Sequence, residues 1–193
     1  MEISLIRHGK SLCISNKPIS YTFFRKWVIE YDNVGVCEED AYPSDSIEKV
    51  LSSELVFTSH LKRALHSAYI LNPTLDPISD VTFREVELPI LVTINEKMKL
   101  KPNGWAVILR IMWFLGYSNG CESYKSAKKR ATRAADKLIE AAKEHNNIVL
   151  VGHGFFNKMI AKELKRNGWT NRKISTNHWV CNTFLMFHQR EHE

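Results

Sequence analysis

Two histidines stand where an apolar run ends beside glycine. Arg7-His8-Gly9 follows Glu2-Ile3-Ser4-Leu5-Ile6, and Gly152-His153-Gly154 follows Ile148-Val149-Leu150-Val151. A buried strand handing over to a loop is the place in an open α/β sheet where side chains far apart in sequence converge in one crevice. Arginine's planar fork grips phosphate oxygens with paired hydrogen bonds. A histidine with one ring nitrogen held by main chain attacks with the other. Glycine beside His153 lets main chain approach a ligand closely, and a following helix N-terminus favours an anion. His8, His153 and Arg7 together suit an anionic group, a phosphoryl group above all.

Further polar residues recur at similar places. Leu55-Val56-Phe57-Thr58 reads as a second strand, followed by Ser59, His60, Lys62 and Arg63. Val81-Thr82-Phe83 reads as a third, followed by Arg84, Glu85 and Glu87. With parallel strands, all these sets share one edge of the sheet with the two histidines. The kit then holds arginines for phosphoryl oxygens and a carboxylic acid for the proton that a leaving oxygen needs. Taken singly, each residue has a plainer reading. A histidine can be a satisfied polar residue, Arg63 a solvated helix residue, and Glu85 with Glu87 a solvated strand face. The recurrence at one topological position is what favours chemistry.

The elements that must position these groups alternate along the chain. Helical spacing of Tyr21, Phe23, Phe24, Trp27, Val28 and Tyr31 predicts a helix over 19–31. Pro43-Ser44-Asp45-Ser46 reads as a helix start, with Ser44 or Asp45 as the cap. A helix through Leu61, Ala64, Leu65, Ala68 and Leu71 follows the second strand. Residues 103–115 read as a helix stopped by Gly116. Gly120-Cys121-Glu122-Ser123 opens a long helix to about Glu144, and Asn146-Asn147 ends it. Gly154 to Leu164 reads as helix and Val180 to Phe187 as a final strand. Strands alternating with helices predict an α/β three-layer sandwich with a mostly parallel central sheet. The 193 residues suit one domain spanning 1–193.

Composition narrows the partners. A net charge of +6 accords with an anionic substrate, without any Lys/Arg block or motif for nucleic acid. Cys13, Cys37, Cys121 and Cys181 form no CxxC pair and no zinc pattern with histidine, so they read as free thiols in a reducing compartment. No secretory signal pattern opens the chain, and a cytoplasmic location is expected. Trp105 to Leu115 is apolar, but it is too short to span a bilayer and contains Arg110, so no stable membrane anchor is expected.

The chain resembles the histidine phosphatase superfamily, also called phosphoglycerate mutase-like. Leu5-Ile6-Arg7-His8-Gly9-Lys10-Ser11 is similar to its N-terminal signature, and Thr58-Ser59-His60-Leu61-Lys62-Arg63-Ala64-Leu65-His66-Ser67-Ala68 to its second motif. Phe83-Arg84-Glu85 resembles the segment that holds the acid. Gly120-Cys121-Glu122-Ser123-Tyr124, Val149 to Gly154, and Asn182-Thr183 resemble later motifs, all in the family order. The resemblance implies that His8 is the nucleophile and becomes phosphorylated. It implies that Arg7, Arg63 and His153 hold the phosphoryl oxygens, and that Glu85 is general acid and then base. It calls for no cofactor and no metal.

Departures from the family pattern leave the substrate open. Ile14 stands where many relatives carry asparagine, Lys10 where glutamate is common, and Val86-Glu87-Leu88-Pro89-Ile90 replaces a glycine and Trp-Glu-Gly after the acid. Glu87 is an alternative acid. Trp105, Ile108, Met112 and Trp113 are either an apolar lid over the site or part of a helix buried nearly all round. The expected activity is metal-independent hydrolysis of a phosphomonoester, small-molecule or protein-borne, through phosphohistidine on His8. Alternatives are a phosphohistidine protein phosphatase and a non-catalytic phosphate-binding module. Mutase activity is less expected, because the chain lacks the extra length of the mutases.

Overall fold

A computed structural model describes residues 1–172 and 174–187. Five strands form one sheet in the order β3-β2-β4-β1-β5. These are β1 (Glu2–Arg7), β2 (Leu55–Thr58), β3 (Ile78–Ser79), β4 (Asn147–Gly152) and β5 (Cys181–Leu185). The first four run parallel, and β5 pairs antiparallel with β1 at one edge. The helices are α1 (Tyr21–Asn33), α2 (Ser44–Ser52), α3 (Lys62–Leu71), α4 (Pro102–Phe114), α5 (Tyr124–His145) and α6 (Gly154–Arg166).

The alternation of a strand's side chains between two faces builds the three expected layers. On β4, Ile148 and Leu150 pack into one core with Ile3 and Leu5 of β1 and with α5 and α6. Val149 and Val151 point the other way, into a core with Ile6, Val56, Val50, Ala68 and Leu71. Both faces of β4 are covered, which is why its sequence is apolar without interruption. On α5, Ala127, Ala131, Ala134, Ala135 and Ala142 form the buried stripe, so the helix backbone lies close to its neighbours. A third cluster joins α1 to α4 through Tyr21, Phe24, Trp105 and Leu109.

Helix ends follow local chemistry. The Ser123 side chain accepts the Ser126 N–H and caps α5, and Asn146 ends it at a φ of 57°. Pro102 opens α4, and Gly116 turns the chain away just after it at a φ of 99°. Pro43 occupies the cap position of α2 and Ser44 is its first residue, so neither Ser44 nor Asp45 caps it.

The third strand differs from expectation. Val81–Phe83 is a single 3-10 turn, and the strand is Ile78–Ser79 just before it. The Asp80 N–H still bonds the Thr58 carbonyl, but its side chain accepts the Thr82 N–H and turns the chain. A local side-chain acceptor thus outcompetes the β-branched preference of Val81 and Thr82. Glu85 and Glu87 consequently lie in a loop, and the solvated strand face given by their plainer reading does not form.

That loop is tied down by a buried arginine. Arg130 of α5 donates to the carbonyls of Thr82 and Arg84, at 2.9 and 2.8 Å. It pairs with Glu122 through two hydrogen bonds and lies over the Phe156 ring, 3.7 Å from its centroid. Removing one partner of a buried ion pair leaves the other charge uncompensated. Arg130→Ala is therefore expected to lower the unfolding free energy by about 3 kcal/mol or more. Urea denaturation measures this, and a loss within surface-substitution range would show that the cluster does not hold the loop.

Candidate active site

The register of the two central strands brings the histidines together. Arg7 pairs with Gly152, the last residues of β1 and β4, so His8 and His153 leave the sheet side by side. The His8 N–H bonds the Gly152 carbonyl at 3.0 Å. Their rings lie 5.1 Å apart between centroids, inclined at 63°. Both side chains are buried.

His8 is held in one tautomer. Its Nδ1 lies 2.7 Å from the Gly9 carbonyl, which can only accept, so Nδ1–H donates and Nε2 carries the lone pair. Burial, and then the charge of Arg63, push its pKa well below the usual histidine value. The ring is therefore neutral at neutral pH, as a nucleophile requires. His153 is shifted the same way, again by burial first and Arg63 second. Neither of its ring nitrogens bonds within the protein.

Two arginines complete the cationic wall. Arg7 donates to the Thr176 carbonyl through one terminal nitrogen, while its buried Nε has no protein partner. A Cβ added at Gly154 would lie 2.9 Å from that Nε, so glycine is what lets the start of α6 approach Arg7. Arg63, in the first turn of α3, is buried beside Asp32 at 2.6 Å, and its guanidinium carbon lies 4.7 Å from the Tyr31 ring centroid. Its Nε also lacks a protein partner. Buried donors usually find acceptors. Here Arg7 and Arg63 both lie near enough to His153 to act on its pKa, and each of the three keeps a buried nitrogen unpaired, a set of groups suited to the oxygens of an anion.

Glu85 reaches the same place from its loop rather than from a strand. Its carboxylate accepts the N–H groups of Phe155 and Phe156 in the first turn of α6, at 3.3 and 3.0 Å, and that of Val86 at 2.9 Å. Glu87 is half exposed and pairs with Arg84 at 3.5 Å. A cavity of about 450 Å³ opens beside Glu85 and Arg63, and Glu87 and His60 also line it.

The chain carries three site residues that its sequence pattern did not single out. His178 donates from Nδ1 to the His8 carbonyl at 2.7 Å, and its ring lies 5.4 Å from that of His8. Burial lowers its pKa. Arg110 of α4 donates to the carbonyls of Val86 and Glu87 and sits over the Phe155 ring. A cation inside an apolar helix was the available signal for it. Tyr31, from the apolar face of α1, lines the cavity. Asn182 has a supporting place, bonding both the N–H and the carbonyl of Ser175 in the loop that carries Thr176 and His178.

Of the two readings of this helix, the apolar lid does not form through its tryptophans. Trp105 and Trp113 are fully buried, their indole N–H groups donating to the carbonyls of Ile19 and Glu122. The helix is not buried all round either, since Val107, Ile111 and Phe114 are exposed. Among the described residues no helix is long and apolar enough to cross a membrane, and all four cysteines are free.

A family model described as the histidine phosphatase superfamily (branch 1) matches residues 44–190, and the chain belongs to that superfamily. The match takes in Arg63, Glu85 and His153, and β1 brings in His8 by pairing with β4. No curated protein matches the sequence. Solved structures share the fold. A phosphoserine phosphatase from Entamoeba histolytica, in complex with 3-phosphoglyceric acid, superposes with a TM-score of 0.58 at 15% identity, over 95% of this chain and 90% of that one. A mycobacterial glucosyl-3-phosphoglycerate phosphatase gives 0.55 at 17% identity, over 86% and 79%.

The lowered histidine pKa values have a consequence for stability. Below about pH 6.5 the unfolded chain protonates these rings while the folded site resists it. The unfolded state then binds more protons, so folding stability falls as pH falls. The slope reaches at most about 1.4 kcal/mol per pH unit for each histidine kept neutral. Urea unfolding at pH 7.5 and 5.5 should show this decline, and His153→Gln should make it shallower. Equal declines in both proteins would refute the assignment.

Proposed function

We propose that this protein is a metal-independent phosphomonoesterase working through a phosphohistidine on His8. The observation that carries the reading is the fixed tautomer of His8, which leaves its Nε2 lone pair free in a ring 5.1 Å from that of His153 and close enough to Arg63 and Arg7 to feel their charge, each of the three keeping a buried nitrogen unpaired. Nε2 attacks phosphorus, an N–P bond forms, and the ester P–O bond breaks. Glu85 supplies the proton that the leaving oxygen takes. Water then attacks phosphorus as Glu85 accepts its proton, the N–P bond breaks, and inorganic phosphate leaves. Fixed cationic donors lower the barrier by meeting charge that spreads over the phosphoryl oxygens. A module that only binds phosphate needs neither a free nucleophilic nitrogen nor a carboxyl group beside it.

Purified protein is expected to hydrolyse p-nitrophenyl phosphate with a chelator present. His8→Ala should reduce kcat by about 10³-fold or more. Full activity of that variant, or dependence on added metal, would overturn the mechanism. Rapid acid-quench with a labelled ester should trap phosphate on His8.

Glu85→Gln should slow esters with poor leaving groups more than aryl esters, since a good leaving group needs less proton transfer. Kinetics over a series of leaving groups measures this, and an equal loss on all of them would move the role to Glu87. A phosphohistidine protein in the same assay separates protein from small-molecule substrates: turnover faster than any ester would favour the protein substrate.

A further inference from the structure

The cavity beside Arg63 and Glu85 has room for a leaving group, and its lining says what kind. Its volume of about 450 Å³ is within the range of small-molecule sites. Much of its wall is apolar, from Trp27, Val28 and Tyr31 of α1 and from Leu61, Val86 and Leu88 opposite. The Trp27 and Tyr31 rings lie 5.0 Å apart, inclined at 34°. Arg63 lies over Tyr31, so this aromatic surface reaches an arginine assigned above to the phosphoryl group.

Two of the three arginines that line the cavity are already ion-paired. Arg63 pairs with Asp32 at 2.6 Å. Arg84 lies between Glu87 at 3.5 Å and Glu122 at 3.7 Å. Arg110 donates to two backbone carbonyls. Each arginine of the lining is thus engaged, and the Glu85 carboxylate, held among the described residues by backbone N–H groups alone, adds negative charge to the wall. A leaving group bearing its own carboxylate would face the carboxylates of Asp32, Glu85 and Glu87, with Arg110 the one lining arginine outside an ion pair among the described residues and already donating to two carbonyls. An uncharged ring would stack on Trp27 and Tyr31 at no such cost.

We propose that the site selects phosphomonoesters of uncharged aromatic or arylalkyl alcohols over those of carboxylated alcohols. This rests on the phosphatase reading above. The selectivity would come from α1 and the loop after the acid, in place of the tryptophans of α4.

The test compares 2-phenylethyl phosphate with O-phosphoserine and 3-phosphoglycerate. All three release an alkoxide oxygen, so acidity of the leaving group does not favour the aromatic ester. The expected kcat/KM for 2-phenylethyl phosphate is higher by about tenfold or more, the scale on which apolar pockets discriminate. Trp27→Ala should reduce that ratio, and Trp27→Phe should keep most of it. Equal or greater kcat/KM for either carboxylated ester, with p-nitrophenyl phosphate still hydrolysed, would overturn the proposal and spare the phosphatase reading. A ratio unchanged in a folded Trp27→Ala protein would also overturn it. Failure to hydrolyse any ester would reject the phosphatase reading itself, and the proposal with it.

Discussion

The site depends on the parallel pairing of β1 with β4. Six consecutive residue pairs, from Glu2 with Asn147 to Arg7 with Gly152, set the register. A slip of one residue would send Ile3, Leu5, Ile148 and Leu150 to the wrong faces, exchanging the two cores. The burial of those side chains therefore fixes where the strands end. His8 and His153 follow as the first residues beyond the last pair. Their closeness is a consequence of hydrophobic pattern before it is one of polar attraction.

Placing two histidines and two arginines in this buried corner is unfavourable for their charged forms. The chain answers differently at each residue. His8 and His153 are kept neutral, with pKa values pushed down by burial and by Arg63. Arg63 has Asp32, while Arg7 has the Thr176 carbonyl. Each arginine keeps an Nε unpaired. Donors that the fold leaves unsatisfied are already oriented when an anion arrives, and little reorganisation is then required.

Glu85 owes its place to two elements far from it in sequence. The start of α6 supplies two N–H groups to its carboxylate, and α5 holds the loop through Arg130. Phe156 links the two, since its N–H bonds Glu85 and its ring packs under Arg130. Arg110 fastens the other side of the loop through the carbonyls of Val86 and Glu87. A segment with no strand of its own is thus made firm by polar bonds to three helices. Its sequence, Arg84-Glu85-Val86-Glu87, shows none of this.

Much was legible in the sequence because it depends on local pattern. The uninterrupted apolar run of β4, the alanine stripe of α5 and the glycines beside both histidines revealed the α/β layering. They also placed Arg7, His8 and His153 at strand ends, as the run Leu55 to Thr58 placed Arg63 just beyond another. Val81-Thr82-Phe83 was misread as strand because Asp80 turns the chain with its own side chain, a competition that β-propensity does not register. The apolar tract of α4 did not reveal that its tryptophans face the core while Arg110 faces the cavity. His178 lies in a loop without periodicity and reaches His8 only through a backbone carbonyl. The sequence by itself determined which polar residues follow the strand ends and which strands end beside them, because burial imposes a period that can be read along the chain. Only the tertiary structure decided how Glu85 is held, which donors remain unpaired and what lines the cavity. Those follow from contacts between segments distant in sequence, for which no local period exists.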